Sequence, residues 1–280
     1  MNNYIDVKLS KFEKIIIINF ISYQIIMRNI PDLHDMESEK NLPEITSSYN
    51  LEKDAWNWRW AMNSFTNWRW YESMSEEDLN ILSQVKWLSK EEANKILLPY
   101  LDKKYQNNRK YIEEAAKELK NDLDIQKDKV FECMEKLTKH PILHKNFHIY
   151  FTTCKRWPYI WETWEILMPD PSNRDRRIRN WTYLFSHELL HMQTHKYYES
   201  EYPMNQLNWK QFNLIKETLT FLLNHEFPWV NMAIDKWYPE HQEYRKILEE
   251  YRVSCWDKKD FKDLIDFGCD YILKNNLLTE

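Results

Sequence analysis

WTYLFSHELLHMQTH, residues 181–195, is apolar on nearly every side when wound into a helix. A helix apolar all round is a buried one. Its centre carries His187, Glu188 and His191. Leaving Glu188 buried and uncompensated beside two imidazoles would cost several kcal/mol. A divalent metal satisfies all three together. His187 and His191 lie one turn apart on one face, so a ring nitrogen of each can reach a single ion. Glu188 is rotated about 100° from His187. It can therefore lean over an open coordination position and take a proton from metal-bound water, whose pKa zinc lowers to about 7.

Such a centre needs a third protein ligand. His195 completes the string HELLHMQTH, but it stands about 12 Å from His187 along the axis of a straight helix. The bent pattern that delivers a third histidine requires a glycine that is absent here. Glu217, in IKETLTFLLN, is the better candidate: it borders the apolar stripe of Phe212, Ile215, Leu219 and Leu222 on the next predicted helix. The alternative for Glu217 is an ordinary exposed position after Lys216. His225 and Glu226 are fallback ligands. A working zinc site demands that the Glu217 carboxylate lie within about 4 Å of both imidazoles, because zinc–ligand bonds are only about 2 Å long.

HELLH on one helix with KETLTFLLN on the next resembles the gluzincins, zinc metallopeptidases of the zincin clan whose third ligand is a glutamate. The resemblance covers roughly residues 145–226. It implies a zincin-like core in which a small sheet precedes the motif helix. It also implies zinc held by His187, His191 and Glu217, with Glu188 as general base. In that clan an edge strand runs antiparallel to bound substrate, and WETWEILMP, just upstream of the helix, takes that place by order. The chain departs from the pattern in lacking a clear downstream aspartate to orient a ligand histidine. The residue that steadies the oxyanion is open among His225, His241, Tyr197 and Tyr198.

Composition bounds the remaining choices. The chain has 280 residues, 30% charged and 43% apolar, with a formal charge of −5. That is a globular composition, and it gives no reason to expect nucleic acid as a partner. A single glycine, Gly268, rules out a Rossmann fingerprint or a P-loop. Turns must then rely on Asn, Asp and Pro. The four cysteines form no C-x-x-C pair, which suits free thiols and a cytoplasmic setting. KFEKIIIINFISYQIIM near the N-terminus holds an apolar run too short to span a bilayer. It reads as a buried strand, as a secretory signal, or as sequence upstream of a natural start at Met27.

Along the chain, residues 1–50 read as an irregular lead-in, 51–140 as a helical region, and 141–280 as the metal-binding domain. The expected class is α+β, predominantly helical. Ser73 with Glu76 and Ser89 with Glu92 fit capping boxes. NWRW occurs at 57–60 and 67–70; interleaved aromatics and arginines can stack on bases or sugars, but a helical stripe through Trp56 and Trp60 is the simpler reading. FHIYFTTC (147–154) and YIWETWEILMP (159–169) read as two strands joined around Lys155 to Pro158. Ser172 with Asp175 offers a cap for a motif helix of about 25 residues, and a second helix spans about 208–225. Shorter helices follow over about 229–252 and 258–275.

The leading expectation is thus a zinc-dependent peptidase acting on a peptide or protein. Two alternatives remain. One is a non-catalytic zincin-like protein, marked by a fourth protein ligand that closes the site. The other is a Trp-rich interaction module over 51–140, marked by an exposed aromatic patch.

Overall fold

Why the motif helix is buried is visible in a computed structural model that describes residues 43–63, 74–154, 158–160, 162–169, 180–227, 241–255 and 260–278. Among these, β1 (Glu44–Tyr49) leads into α1 (Leu51–Asn63), α2 (Glu76–Val85) and the long α3 (Lys90–Thr138). Strands β2 (Asn146–Thr152), β3 (Tyr159–Ile160) and β4 (Glu165–Pro169) complete the sheet. Helix α4 (Trp181–Tyr198) carries HELLH, and α5 (Trp209–Thr218), α6 (Phe221–Glu226), α7 (Gln242–Cys255) and α8 (Phe261–Lys274) follow. The class is α+β and mostly helical, as expected.

Sheet order is β1-β2-β4-β3, with β1/β2 and β2/β4 parallel and β3/β4 antiparallel. Two expectations change here. Residues 44–49, read as irregular, form an edge strand whose faces alternate between exposed and half-buried. The stretch 159–169 is a hairpin rather than one strand, and its second arm lies parallel to β2. The bend at 162–164 turns on Trp164, which adopts a positive φ of 55°. With one glycine in the chain, left-handed positions fall to other residues. Among the described ones they are Trp87, Lys139, Trp164, Asn276 and Leu278, only one of which is an asparagine.

Phe147, Ile149 and Phe151 point from β2 into the core by strand alternation. Phe185 of α4 meets Phe147 edge-on at 5.5 Å, and Trp181 meets Phe151 at 5.5 Å. Phe131, from the C-terminal half of α3, packs on both Phe147 and Phe185. The core that buries α4 thus draws on α3, the sheet, α5, α6, α7 and α8. A second cluster gathers Ala55, Trp58 and Ala61 of α1 with Leu82, Val85, Ala93, Leu97 and Leu101. The buried stripe of α1 therefore passes through Trp58, while Trp56 and Trp60 are half-buried. Arg59 donates to Asn94, and the second NWRW lies outside the described residues.

One polar knot ties α1 to the end of β2. The Asp54 carboxylate is fully buried. Its Oδ1 accepts from the Thr152 hydroxyl at 2.6 Å and the Thr153 N–H at 3.1 Å. Its Oδ2 accepts from the Thr153 hydroxyl at 2.8 Å and the Tyr49 hydroxyl at 3.0 Å.

Helix ends follow local chemistry. Ser89 and Glu92 form the expected capping box on α3. On α2 the box is Ser75 with Asp78, two residues later than Ser73 with Glu76, because Glu76 is already the first helical residue; Ser73 lies outside the described residues. Helix α4 opens at Trp181 under Asn180, whose side chain accepts from the Tyr183 N–H at 3.0 Å. The helix has 18 residues rather than about 25, and Ser172 and Asp175 fall outside the description. The predicted helix over 208–225 breaks into α5 and α6. Thr218 and Thr220 turn their hydroxyls back onto the carbonyls of Leu214 and Glu217 at 2.7 Å, competing with the helical ladder. The expected helix from 229 begins at Gln242, with 228–240 outside the description. The N-terminal apolar run is likewise outside it. Among the described residues, no helix is long and apolar enough to cross a membrane, and Cys133, Cys154 and Cys269 are free thiols.

Gly268 serves packing rather than a turn. It sits inside α8, where a methyl group would lie 2.6 Å from the Tyr244 hydroxyl of α7 and 2.9 Å from Ile215 Cδ1 of α5. The missing side chain lets three helices close on one another, and α5 is the helix that carries Glu217.

Candidate metal centre

Helix α4 lays its sheet-facing side in the core and turns His187 and His191 toward α5. Residues four apart stack on one face, and their Nε2 atoms stand 3.0 Å apart. Glu217, in the last turn of α5, completes the group. Its Oε2 lies 3.4 Å from His191 Nε2 and 3.9 Å from His187 Nε2. These are the residues that the sequence singles out as ligands, and the structure brings them together. Among the described residues they are the one group of histidine, cysteine and carboxylate side chains arranged to hold a metal ion.

The geometry can be tested against zinc. Three tetrahedral ligands at about 2.05 Å from one ion must stand about 3.3–3.4 Å apart. The three separations here average about 3.4 Å. Donor types also fit, since two imidazoles and one carboxylate are a standard set for a catalytic zinc. Exposure is graded: His191 is 2% exposed, Glu217 9% and His187 16%, so the cluster opens on the His187 side. Glu188 is 5% exposed and near enough to Tyr159 for its charge to raise the pKa of that phenol.

The charge balance depends on a residue that the sequence presents as a sign of exposure. Lys216 is 7% exposed. Its ammonium lies 2.9 Å from Glu217 Oε1 and donates to the Tyr159 hydroxyl at 3.1 Å. Burial alone would lower the Lys216 pKa, but the Glu217 carboxylate beside it more than offsets this and raises it. Burial alone would raise Glu217, yet Lys216 and the two imidazoles hold its carboxyl well below the usual range. Burial pushes His191 down to about 3, so its ring is held neutral, the form in which an imidazole could donate to a metal.

Two further neighbours steady the histidines. The Tyr183 hydroxyl is 3.2 Å from His187 Nδ1, supplying the outer partner for which no aspartate is evident. Tyr183 stands one turn before His187, so helical spacing alone could have revealed it. Tyr159 packs 5.5 Å from the His191 ring, but nothing in a two-residue strand signals that proximity in the sequence.

The other candidates are engaged elsewhere. His195 pairs with Glu199 at 2.8 Å and leans on Phe212, in keeping with its distance along the helix. Glu226 is bonded to Arg252 at 2.7 Å, and His225 lies against Phe221. Neither belongs to the cluster, nor does His241. Tyr197 and Tyr198 give their hydroxyls to the carbonyls of Pro141 and Thr138, which removes them as oxyanion donors. The edge-strand expectation also shifts. Strand β4 is covered by β3 at Glu165 and Ile166, and its Leu167 N–H donates to the Pro158 carbonyl at 2.8 Å, so β3 is the edge.

No protein-family model, no curated protein and no solved structure matches the chain. The case for the site therefore rests on its own chemistry.

Proposed function

We propose that the chain is a zinc-dependent hydrolase that cleaves peptide bonds. The observation that carries this reading is the triangle of His187 Nε2, His191 Nε2 and Glu217 Oε2, sized for one zinc ion, with Glu188 next along the same helix. Zinc bound there would polarise the scissile carbonyl and supply an acidified water. Glu188 takes the proton of the attacking water and passes it to the leaving amine. Tyr183 holds the His187 ring through Nδ1, leaving Nε2 to face the centre. The outer edge of β3, with Tyr159 beside His191, is where an extended substrate would pair by main-chain hydrogen bonds.

Purified protein is expected to carry close to one zinc per chain, and His187→Ala to carry none. Glu188→Gln keeps the metal and loses about 10²–10⁴-fold in hydrolysis of a peptide library. A folded, metal-free protein with no uptake of added zinc overturns the reading. A second reading, a metal that only clamps α4 to α5, draws on the near-complete burial of His191 and Lys216. It predicts zinc uptake with a large gain in thermal stability and no peptide hydrolysis.

A further inference from the structure

The proposed hydrolysis leaves one buried charge without a task. A lysine beside a cation site is costly, because like charges repel most strongly where water is excluded. Lys216 is nonetheless fixed there by three contacts. Its Nζ is 2.9 Å from Glu217 Oε1, 3.1 Å from the Tyr159 hydroxyl, and 5.0 Å from the centre of the Tyr159 ring. The two oxygens of Glu217 are thereby divided. Oε1 faces the ammonium, while Oε2 alone is within 3.9 Å of both imidazole nitrogens. A carboxylate free on both oxygens can chelate a metal through both and fill the position that water or substrate needs.

We propose that Lys216 is a positioning residue that holds Glu217 to one-oxygen coordination and so keeps the metal four-coordinate with one place open. Tyr159 anchors the ammonium from the sheet side, which links the edge strand to the geometry of the centre. The proposal rests on the metal-centre reading above, and the experiment separates the two. Cobalt(II) replaces zinc in the chelator-treated full chain, and its visible absorption reports coordination: intense for a four-coordinate ion, weak for five or six ligands.

The parent is measured first and is expected to show the intense bands. Lys216→Met is expected to take up cobalt with the same stoichiometry and lose several-fold in band intensity, as Oε1 joins the ion. Lys216→Gln, a neutral substitute with a shorter reach, carries the same expectation if the methionine variant does not fold. Tyr159→Phe, which releases one anchor of the ammonium, should fall between them and the parent. Loaded Lys216 variants with the parent's spectrum overturn the role given to Lys216 and leave the centre standing. A parent that binds neither cobalt nor zinc overturns both.

Discussion

Two buried carboxylates, Asp54 and Glu217, are handled in opposite ways. Asp54 is enclosed by hydroxyls and an amide, and each of its oxygens accepts two good hydrogen bonds. Glu217 has one oxygen on Lys216 and the other facing two ring nitrogens at 3.4 and 3.9 Å, longer than a strong hydrogen bond. His187 Nε2, His191 Nε2 and Glu217 Oε2 instead converge to within 3.9 Å of one another. The first carboxylate is complete within the fold. The second is balanced by the Lys216 ammonium on one oxygen and, in the proposed reading, by a metal on the other. Burial of a carboxylate does not by itself mark a candidate metal site; convergence with other donor atoms is what separates the two cases.

The largest expected effect lies on the closed side. Asp54→Ala strands the hydroxyls of Thr152, Thr153 and Tyr49 and should cost about 3 kcal/mol or more, read as a fall in the urea midpoint. Zinc content should stay at the parent's level, whereas Glu217→Gln should lose zinc. Equal zinc loss in the two variants would erase the contrast. Next, Gly268→Ala forces a methyl against Tyr244 and Ile215 and should cost about 1–3 kcal/mol. Because Ile215 lies two residues before Glu217, zinc affinity should weaken as well; titration calorimetry reads this.

A smaller effect is set by pH. In metal-free protein, His191 is neutral in both states above pH 6.5. Between pH 6.5 and about 3, only the unfolded chain takes the proton. Stability should therefore fall as pH drops through that window, by at most about 1.4 kcal/mol per pH unit, and His191→Asn should flatten the slope. Glu217, held low, adds loss in the same direction as pH falls. Asp54, pushed up by its burial against the pull of its donors, acts oppositely: its contribution is lost as pH rises through its folded value. The smallest effect is a control. Lys139 caps α3 at a φ of 59°, so Lys139→Gly should raise stability by about 1 kcal/mol, or about 2–4 °C, with zinc content unchanged.

The helical periodicity of HELLH and the apolar stripe around Glu217 made the three clustered residues legible in the sequence. Spacing on one helix is set by the backbone, and a stripe beside a polar residue tells which way that residue faces. The sheet was less legible. WETW was read through as strand because its signal for a bend is a left-handed tryptophan, where glycine or asparagine would normally announce it. Lys216 was not legible as part of the site, because a lysine usually marks the solvent side. It is buried here by its bonds to Glu217 and Tyr159, and one of those partners arrives from a strand more than fifty residues upstream.

The parallel pairing of β1 with β2 carries a consequence for how the chain folds. Thr46 and His148 are neighbours in the sheet yet 102 residues apart in the chain, so this ladder can close only after all of α1 to α3 has been reeled in. His187, His191 and Glu217 need only one helix, one connection and nearly all of the next helix. Loop-closure entropy favours the shorter route. The three residues can thus find one another while the sheet is still open, and if they hold a metal as proposed, metal present during synthesis would act on folding speed as well as on the finished protein.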